Sequence, residues 1–324
     1  MRIALFCATR RGLLFLQKLR ALAPAADLVV CSFREEAHEP PFLEEIRRAT
    51  EGFGGRFFEV RRGSAAEVAE ALANGFDLLF AVSWRYLIPP AVYKWAAVGS
   101  YAMHDSMLPR YRGFSPTVWA MIDGEEATGA TLFEMTERAD EGAIVDQERV
   151  AILPSDTIAE VMERVTAAYL LLLERNIGAL MAGRAVGREQ DHSAASYCRK
   201  RRVEDNLIRW DRTTRELLNL IRATTRPYPG AFTMVRGDWC AEGSDSAGVG
   251  VENQMRKLTV WSAMESVARV EHVKHAPGSV VEVVKSGCTV LTGDGALRVL
   301  EAQWEGEAAR PATEIIGRLG MTLG

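Results

Sequence analysis

The opening hundred residues alternate short apolar runs with amphipathic segments, and this alternation limits the fold more than any other feature. Residues 3–6, 28–31, 57–60, 78–82 and 97–103 read as short buried strands, while 13–22, 43–50 and 65–74 carry helical spacing. Strands written as unbroken apolar runs, each separated by a helix, suit a parallel sheet covered on both faces. Such a sheet presents its ligands beyond the carboxyl ends of its strands, near the switch in strand order. The first strand is followed by Cys7-Ala8-Thr9-Arg10-Arg11-Gly12. The tight glycine turn of GxGxxG is missing, so no nicotinamide dinucleotide is expected there.

The second half changes character. A helix is expected from about Thr157, where Thr157 and Glu160 have capping-box spacing and Ile158, Val161, Met162, Val165, Tyr169, Leu172 and Leu173 form a core-facing stripe. Residues 185–205 are polar and end in Arg199-Lys200-Arg201-Arg202. A helix over 213–224 and a proline-enforced turn at 226–230 come next. Short β-like runs follow at 232–235, 258–261, 278–284, 288–291 and 297–302, with a hairpin-type turn at Thr292-Gly293-Asp294-Gly295. The Gly/Ser-rich stretch 242–250 reads as a mobile loop. The expected architecture is α/β: a Rossmann-like, mostly parallel sheet domain over 1–190, a linker over 191–205, and a smaller OB-like β-barrel domain over 206–324.

Composition supports two cored domains, because 324 residues are 48% hydrophobic and 25% charged. No apolar run approaches the roughly 18–20 residues of a membrane helix, and the start reads as a strand rather than a signal peptide. Cys7, Cys31, Cys198, Cys240 and Cys288 are odd in number, widely spaced and without a CxxC pair. Neither a disulfide framework nor a zinc site is expected, and a reducing cytoplasm is the default setting. A net charge of -4 gives no basic field for nucleic acid.

The chemistry concentrates between residues 102 and 147. His104 falls just past a strand end and is followed by Asp105-Ser106-Met107-Leu108-Pro109-Arg110-Tyr111-Arg112-Gly113. Asp140 lies in a glycine-bearing loop after the strand expected at 131–135, so it can face His104 across the carboxyl edge of the sheet. A carboxylate beside an imidazole stabilises the cation and fixes the tautomer, as general acid–base work requires. These two have no third partner at metal-ligand spacing, so no metal is expected.

His104, Ser106, Leu108, Pro109, Tyr111, Arg112, Gly113, Thr128, Gly129, Asp140 and Gly142 occur in the order of a known motif. By these residues the chain resembles the 10-formyltetrahydrofolate-dependent formyltransferases. The likeness continues through Trp210-Asp211, Ile221-Arg222-Ala223, Arg226-Pro227-Tyr228-Pro229-Gly230-Ala231 and Gly293-Asp294-Gly295-Ala296, which look like the family's C-terminal barrel domain. The resemblance implies 10-formyltetrahydrofolate as co-substrate, His104 as general acid/base and Asp140 as the group that tunes it. It also implies that Tyr86, Leu87 and Ile88 hold the pterin largely through their backbone, with Thr136 to Asp140 as the opposite wall. Core packing accounts equally well for Trp84 and Leu87. One departure is large: the family's oxyanion-binding asparagine falls on Ala102, and losing such a donor typically costs about 10²–10³ in rate. A donor from elsewhere, an engineered substitution and a diverged or binding-only protein all account for it.

For the acceptor, residues 34–45 place five glutamates beside one arginine where tRNA-formylating relatives carry a basic loop. Such a loop repels a phosphate backbone, so tRNA is not the expected partner. The stretches 118–120 and 138–147 look most like the enzymes that formylate nucleotide-linked 4-amino sugars. That likeness makes Arg10, Arg11 and 199–202 candidates for a diphosphate and Tyr111 a candidate substrate contact. Phe114 stands where those enzymes can carry arginine. The expectation is N-formyl transfer to a small primary amine, with a nucleotide-linked amino sugar as the favoured acceptor and a homodimer as the favoured assembly. The competing readings are methionyl-tRNA formylation and an impaired folate-binding homologue.

Overall fold

Five apolar runs become a parallel sheet in the computed structural model, which describes residues 1–36, 40–61, 64–237, 254–266, 275–319 and 321–324. The loop expected at 242–250 lies outside the described residues, as do residues 37–39 of the acidic stretch. The chain divides into two units. The first holds Met1–Thr117, Ala127–Ala151 and Val161–Lys200; the second holds Val118–Glu126, Ile152–Glu160 and Arg201–Gly324.

In chain order the elements begin β1 (Arg2–Cys7), α1 (Thr9–Leu22), β2 (Asp27–Ser32), α2 (Leu43–Gly52), β3 (Arg56–Glu59), α3 (Ala65–Ala71) and β4 (Leu78–Val82). They continue with α4 (Pro90–Tyr93), β5 (Gly99–His104), β6 (Arg112–Gly113), α5 (Pro116–Ile122), β7 (Ala127–Glu134), β8 (Ile144–Ala151), α6 (Ile158–Met181) and β9 (Tyr197–Cys198). The first unit's main sheet runs β3-β2-β1-β4-β5-β7-β8. Ile3 pairs Leu28 on one side and Leu78 on the other, both in parallel register. The central strands are inaccessible, as their apolar sequences require: Ile3 to Cys7 and Leu78 to Phe80 are 0% exposed. Each such Leu, Ile or Phe contributes about 1.5–3 kcal/mol through burial. From β1 the chain winds outward to β2 and β3, then returns to β4 on the other flank, so the carboxyl ends of β1 and β4 form the switch point.

The parallel order stops at β5. β7 and β8 add antiparallel, with His104 opposite Thr131 and Thr131 opposite Gln147. β8 and α5 are elements that the sequence pattern does not predict. The polar stretch expected as a linker contributes β9, which pairs in parallel with β6 through Arg112↔Tyr197 and Gly113↔Cys198. The first unit therefore extends to Lys200.

The second unit comprises α7 (Thr214–Thr224), β10 (Ala231–Gly237), β11 (Gln254–Glu265), β12 (Val280–Val284), β13 (Gly287–Leu291), β14 (Ala296–Trp304), β15 (Arg310–Pro311) and α8 (Ala312–Ile315). Its strands form an antiparallel ladder β10-β11-β14-β13-β12, with β15 beside β14. Among the described residues no pairing joins β10 to β12, so the expected barrel is here an open ladder. Its core gathers Trp210, Leu217, Ile221, Leu258, Val260, Leu297 and Trp304. Asp294 of the glycine-flanked turn caps α7, accepting from Thr214 N at 2.7 Å and Thr214 Oγ1 at 3.0 Å. That motif is structural.

Candidate active site

His104 ends β5 and is buried, at 7% exposure for the residue. Its Nε2 lies 2.8 Å from the carbonyl oxygen of Tyr111. A carbonyl only accepts, so Nε2 carries a proton in either charge state, and the proton that comes and goes sits on Nδ1. Nδ1 faces Asp140 Oδ1 at 3.6 Å. The other carboxylate oxygen, Oδ2, is held by the Gly113 N–H at 2.8 Å. Asp140 thus turns one oxygen to the backbone and leaves the other toward the imidazole.

This arrangement is kept by backbone that most residues avoid. Thr9, Ser83, Tyr111, Ser115 and Asp140 are the five non-glycine residues with positive φ among the described residues, between 51° and 65°. Each costs on the order of 1–3 kcal/mol, and such positions concentrate at functional sites. Thr9 follows β1 and Ser83 follows β4, at the switch point; Tyr111 and Asp140 bracket His104. Two glycines are obligatory here. A Cβ at Gly142 would stand 1.7 Å from the Glu134 carbonyl oxygen. One at Gly113, where φ is +101°, would stand 2.3 Å from the Cys198 carbonyl oxygen.

Beneath the loop lies a cation whose role here has no signature in the sequence. Arg112 is 0% exposed. Its Nη2 donates to Gln190 Oε1 at 2.7 Å and its Nη1 to Tyr197 Oη at 2.8 Å, with Glu141 Oε1 at 3.4 Å from Nη1. Gln190 Nε2 in turn donates to the carbonyls of Asp140 and Gly142 at 2.9 and 2.7 Å. Gln190 and Tyr197 give no sequence signal, since a lone polar residue in a polar stretch looks like surface.

Ala102 lies on β5, two residues before His104, and packs against two apolar groups. One contains Leu108, Phe133 and Ile144, the other Ala81, Ile88 and Tyr93. Its methyl group is a half-buried apolar wall and offers no hydrogen-bond donor.

The strip after β4 stands over an aromatic cluster. Trp84 meets Phe6, Phe33 and Tyr86 at centroid separations of 5.1, 5.2 and 5.9 Å. Its Nε1 is buried without a hydrogen-bond partner. Ile88 is buried and Leu87 is 80% exposed. Among the described residues, the main-chain groups of Tyr86, Leu87 and Ile88 have no main-chain partner. Thr136 is exposed and donates from Oγ1 to the Arg138 carbonyl at 2.8 Å. A cavity of about 730 Å³ is lined by Tyr93, Lys94, Tyr101, Thr136 and Arg138 among others, but not by His104, Asp140 or Ala102. Its lining takes in Thr136 and Arg138 of the stretch expected as the facing wall, and Glu141 beside Asp140.

The arginines after β1 separate in role. Arg10 is exposed and paired with Glu163. Arg11, expected to meet a diphosphate, is instead 6% exposed and bound to Asp105 at 2.6 Å, so its charge is used inside the protein. Tyr111 contributes its main chain: its carbonyl takes His104 and its N–H donates to Ser196 Oγ at 2.8 Å. Arg199, Lys200 and Arg202 are exposed. Phe114 is 50% exposed. Burial pushes the Cys31 thiol up to about 12 and the Cys7 thiol up as well, so neither offers a thiolate near neutrality. Among the described residues no cluster of three or more His, Cys, Asp and Glu could hold a metal. None of their helices is long and apolar enough to cross a membrane.

Known proteins share this architecture. A family model described as formyl transferase matches residues 18–175, and one for the formyl transferase C-terminal domain matches residues 200–319. HypX from Aquifex aeolicus, solved in complex with tetrahydrofolic acid, aligns with TM-score 0.60 at 18% identity. That alignment covers 98% of this chain and 46% of HypX, so the chain spans about half the length of that protein. WlaRD, a sugar 3N-formyl transferase solved with dTDP and 5-N-formyl-THF, aligns with TM-score 0.64 at 16% identity over 95% of this chain and 99% of its own. An N-formyltransferase from Helicobacter canadensis, in complex with folinic acid and dTDP-3-aminofucose, gives TM-score 0.62 at 14% identity over 92% and 97%. At these identities the likeness concerns the fold.

Proposed function

We propose that this chain, which belongs to the formyl transferase family, moves a formyl group from 10-formyltetrahydrofolate to a primary amine, with His104 and Asp140 as its proton-handling pair. The observation that carries the reading is the fixed imidazole: Nε2 committed to the Tyr111 carbonyl, Nδ1 turned to Asp140. A base held in one tautomer takes a proton at one known atom. His104 Nδ1 takes the proton that the amine nitrogen sheds on attack and returns it to the nitrogen that leaves. Asp140 stabilises the charge while Nδ1 holds that proton.

The folate supplies the formyl carbon and, on release, the departing nitrogen. This chain's residues suit it in one structural respect. The strip Tyr86, Leu87 and Ile88 presents main-chain N–H and C=O groups free of main-chain partners, over a buried Trp84 Nε1 that lacks an acceptor. A flat heterocycle with alternating donors and acceptors on its edge matches such a strip. Thr136 to Asp140 serve as the facing wall. Tyr111 and Arg10 remain our candidates on the acceptor side, and we assign Arg11 no substrate contact.

The acceptor we favour is an amine on a nucleotide-linked sugar, the class of ligand named for the Helicobacter canadensis enzyme. The glutamates at 35, 36, 44 and 45 argue against a tRNA phosphate backbone. Ala102 supports a second reading, a folate-binding protein with weak transfer, because nothing at that position donates to a developing oxyanion. We also propose an OB-like C-terminal domain, a cytoplasmic setting and a homodimer.

Folate recognition is tested by calorimetric titration with 5-formyltetrahydrofolate. Saturable binding is expected, weakened by Asp140→Ala and by Ile88→Asp, which places a charge beneath the strip. Absence of heat at any ligand concentration up to the millimolar range, about −4 kcal/mol of affinity, contradicts the reading.

A further inference from the structure

The residue after the site histidine is held by more contacts than a loop position needs. Asp105 Oδ1 accepts from Arg11 Nη1 at 2.6 Å and from the Tyr169 hydroxyl. Its main-chain carbonyl accepts from Thr128 Oγ1 at 3.0 Å and Thr117 Oγ1 at 3.2 Å. Arg11 is itself fixed by Thr166 Oγ1 at 3.1 Å, and its guanidinium stands 4.6 Å from the centre of the Tyr169 ring. The next residues are pinned too: Thr131 Oγ1 donates to the Ser106 carbonyl at 2.6 Å and accepts from Leu108 N at 3.2 Å. Burial alone would push the Asp105 carboxyl up, yet Arg11 and the Tyr169 hydroxyl hold it below its ordinary range.

Buried charge of this kind is weak evidence for stability, since a well-packed apolar trio often serves as well. Its location is informative. Arg11 comes from the start of α1, Tyr169 from α6 and the threonines from α5 and β7, and all meet on Asp105, the residue that follows His104. The His104 ring nitrogens themselves face Tyr111 and Asp140 instead. We propose that Asp105, with Arg11 and Tyr169, forms a positioning device for His104. It fixes the side chain and carbonyl of Asp105, directly after His104, so that Nε2 stays on the Tyr111 carbonyl and Nδ1 stays toward Asp140. The inference rests on the proposed role of His104, but its readout does not require turnover.

Asp105→Ala, Arg11→Met and the volume-conserving Tyr169→Phe are to be compared with the parent by ¹⁵N NMR of the imidazole, together with formyl-transfer kinetics. The parent is expected to show one tautomer, protonated at Nε2. In Asp105→Ala that signature is expected to average between tautomers, and kcat to fall about 10²-fold with KM for folate unchanged, as misplacement of a catalytic group by about 1 Å would give. Tyr169→Phe is expected to give the same changes in smaller measure, and it keeps the test open should Asp105→Ala fail to fold. A folded variant retaining both the Nε2–H signature and the parent kcat overturns the proposal. A parent that positions His104 but transfers no formyl group overturns the functional reading and leaves the positioning result standing.

Discussion

Replacing His104 by alanine is expected to lower kcat for formyl transfer about 10²–10⁴-fold while folate affinity stays unchanged. The expectation follows from where each ring nitrogen points. Nε2 is committed to the Tyr111 carbonyl at 2.8 Å, so the ring cannot rotate to present it to substrate without losing that bond. Nδ1 is the one atom able to exchange a proton, and Asp140 Oδ1 stands 3.6 Å away. A separation beyond hydrogen-bond length supplies attraction mainly when the ring is protonated, which is the state reached as the amine gives up its proton. Asp140→Asn keeps the shape and the Gly113 contact but removes the charge, so it should reproduce much of the loss in kcat. Steady-state kinetics on both variants decide the matter. A loss confined to KM would move these residues from chemistry to binding.

Arg112→Met is expected to destabilise the protein by about 3 kcal/mol, the low end for removing one partner of a buried ion pair, because the guanidinium is buried while Tyr197 and Glu141 reach solvent. The guanidinium is 0% exposed and satisfies Gln190, Tyr197 and Glu141 together. Without it, buried Gln190 Oε1 loses its Arg112 donors, while Glu141 keeps the Tyr197 hydroxyl at 3.1 Å and Arg138 at 3.7 Å. Gln190 then no longer braces the Asp140 and Gly142 carbonyls, so activity should fall with stability. Arg112→Lys should rescue little, because an ammonium cannot reproduce the planar fork that reaches several acceptors at once. Urea unfolding should show a lower midpoint with the slope preserved. A loss below about 1 kcal/mol would mean that water satisfies the network and that the buttress is dispensable.

Legibility in the sequence divides along physical lines. The parallel strands stand out because a strand buried on both faces must be apolar throughout, as Ile3 to Phe6 and Leu78 to Val82 are. His104 is legible because a sheet of this kind exposes its strand ends and β5 ends there, whereas Asp140, in the loop between the antiparallel strands β7 and β8, is legible through the order of the motif. β8 is hidden because Ile144-Val145-Asp146-Gln147-Glu148-Arg149 is an edge strand rich in charge, as exposed edges tend to be. Arg11 reads as a solvent-facing phosphate ligand because arginine is seldom buried unless paired. Its partner is Asp105, 94 residues along the chain, and no local pattern reveals such a pair. Residues 191–205 read as a linker from their polarity, yet Ser196 and Tyr197 bind the loop that carries Tyr111 and Arg112. Polarity reports contact with water and not the absence of structure. Whether strands close into a barrel depends on long-range pairing, which spacing in sequence does not encode.

The most direct measurement tracks the formyl group itself. The purified chain and its Ala102→Asn variant would be incubated with 10-formyltetrahydrofolate and a panel of nucleotide-linked amino sugars. Mass spectrometry would then look for one formyl group replacing one amine hydrogen. Transfer by the parent is expected, dependent on His104, with the variant faster by about 10²–10³-fold once a donor to the oxyanion is restored. Formylation of no amine by either protein, under conditions where folate binds, would contradict the account and leave a folate-binding protein in its place.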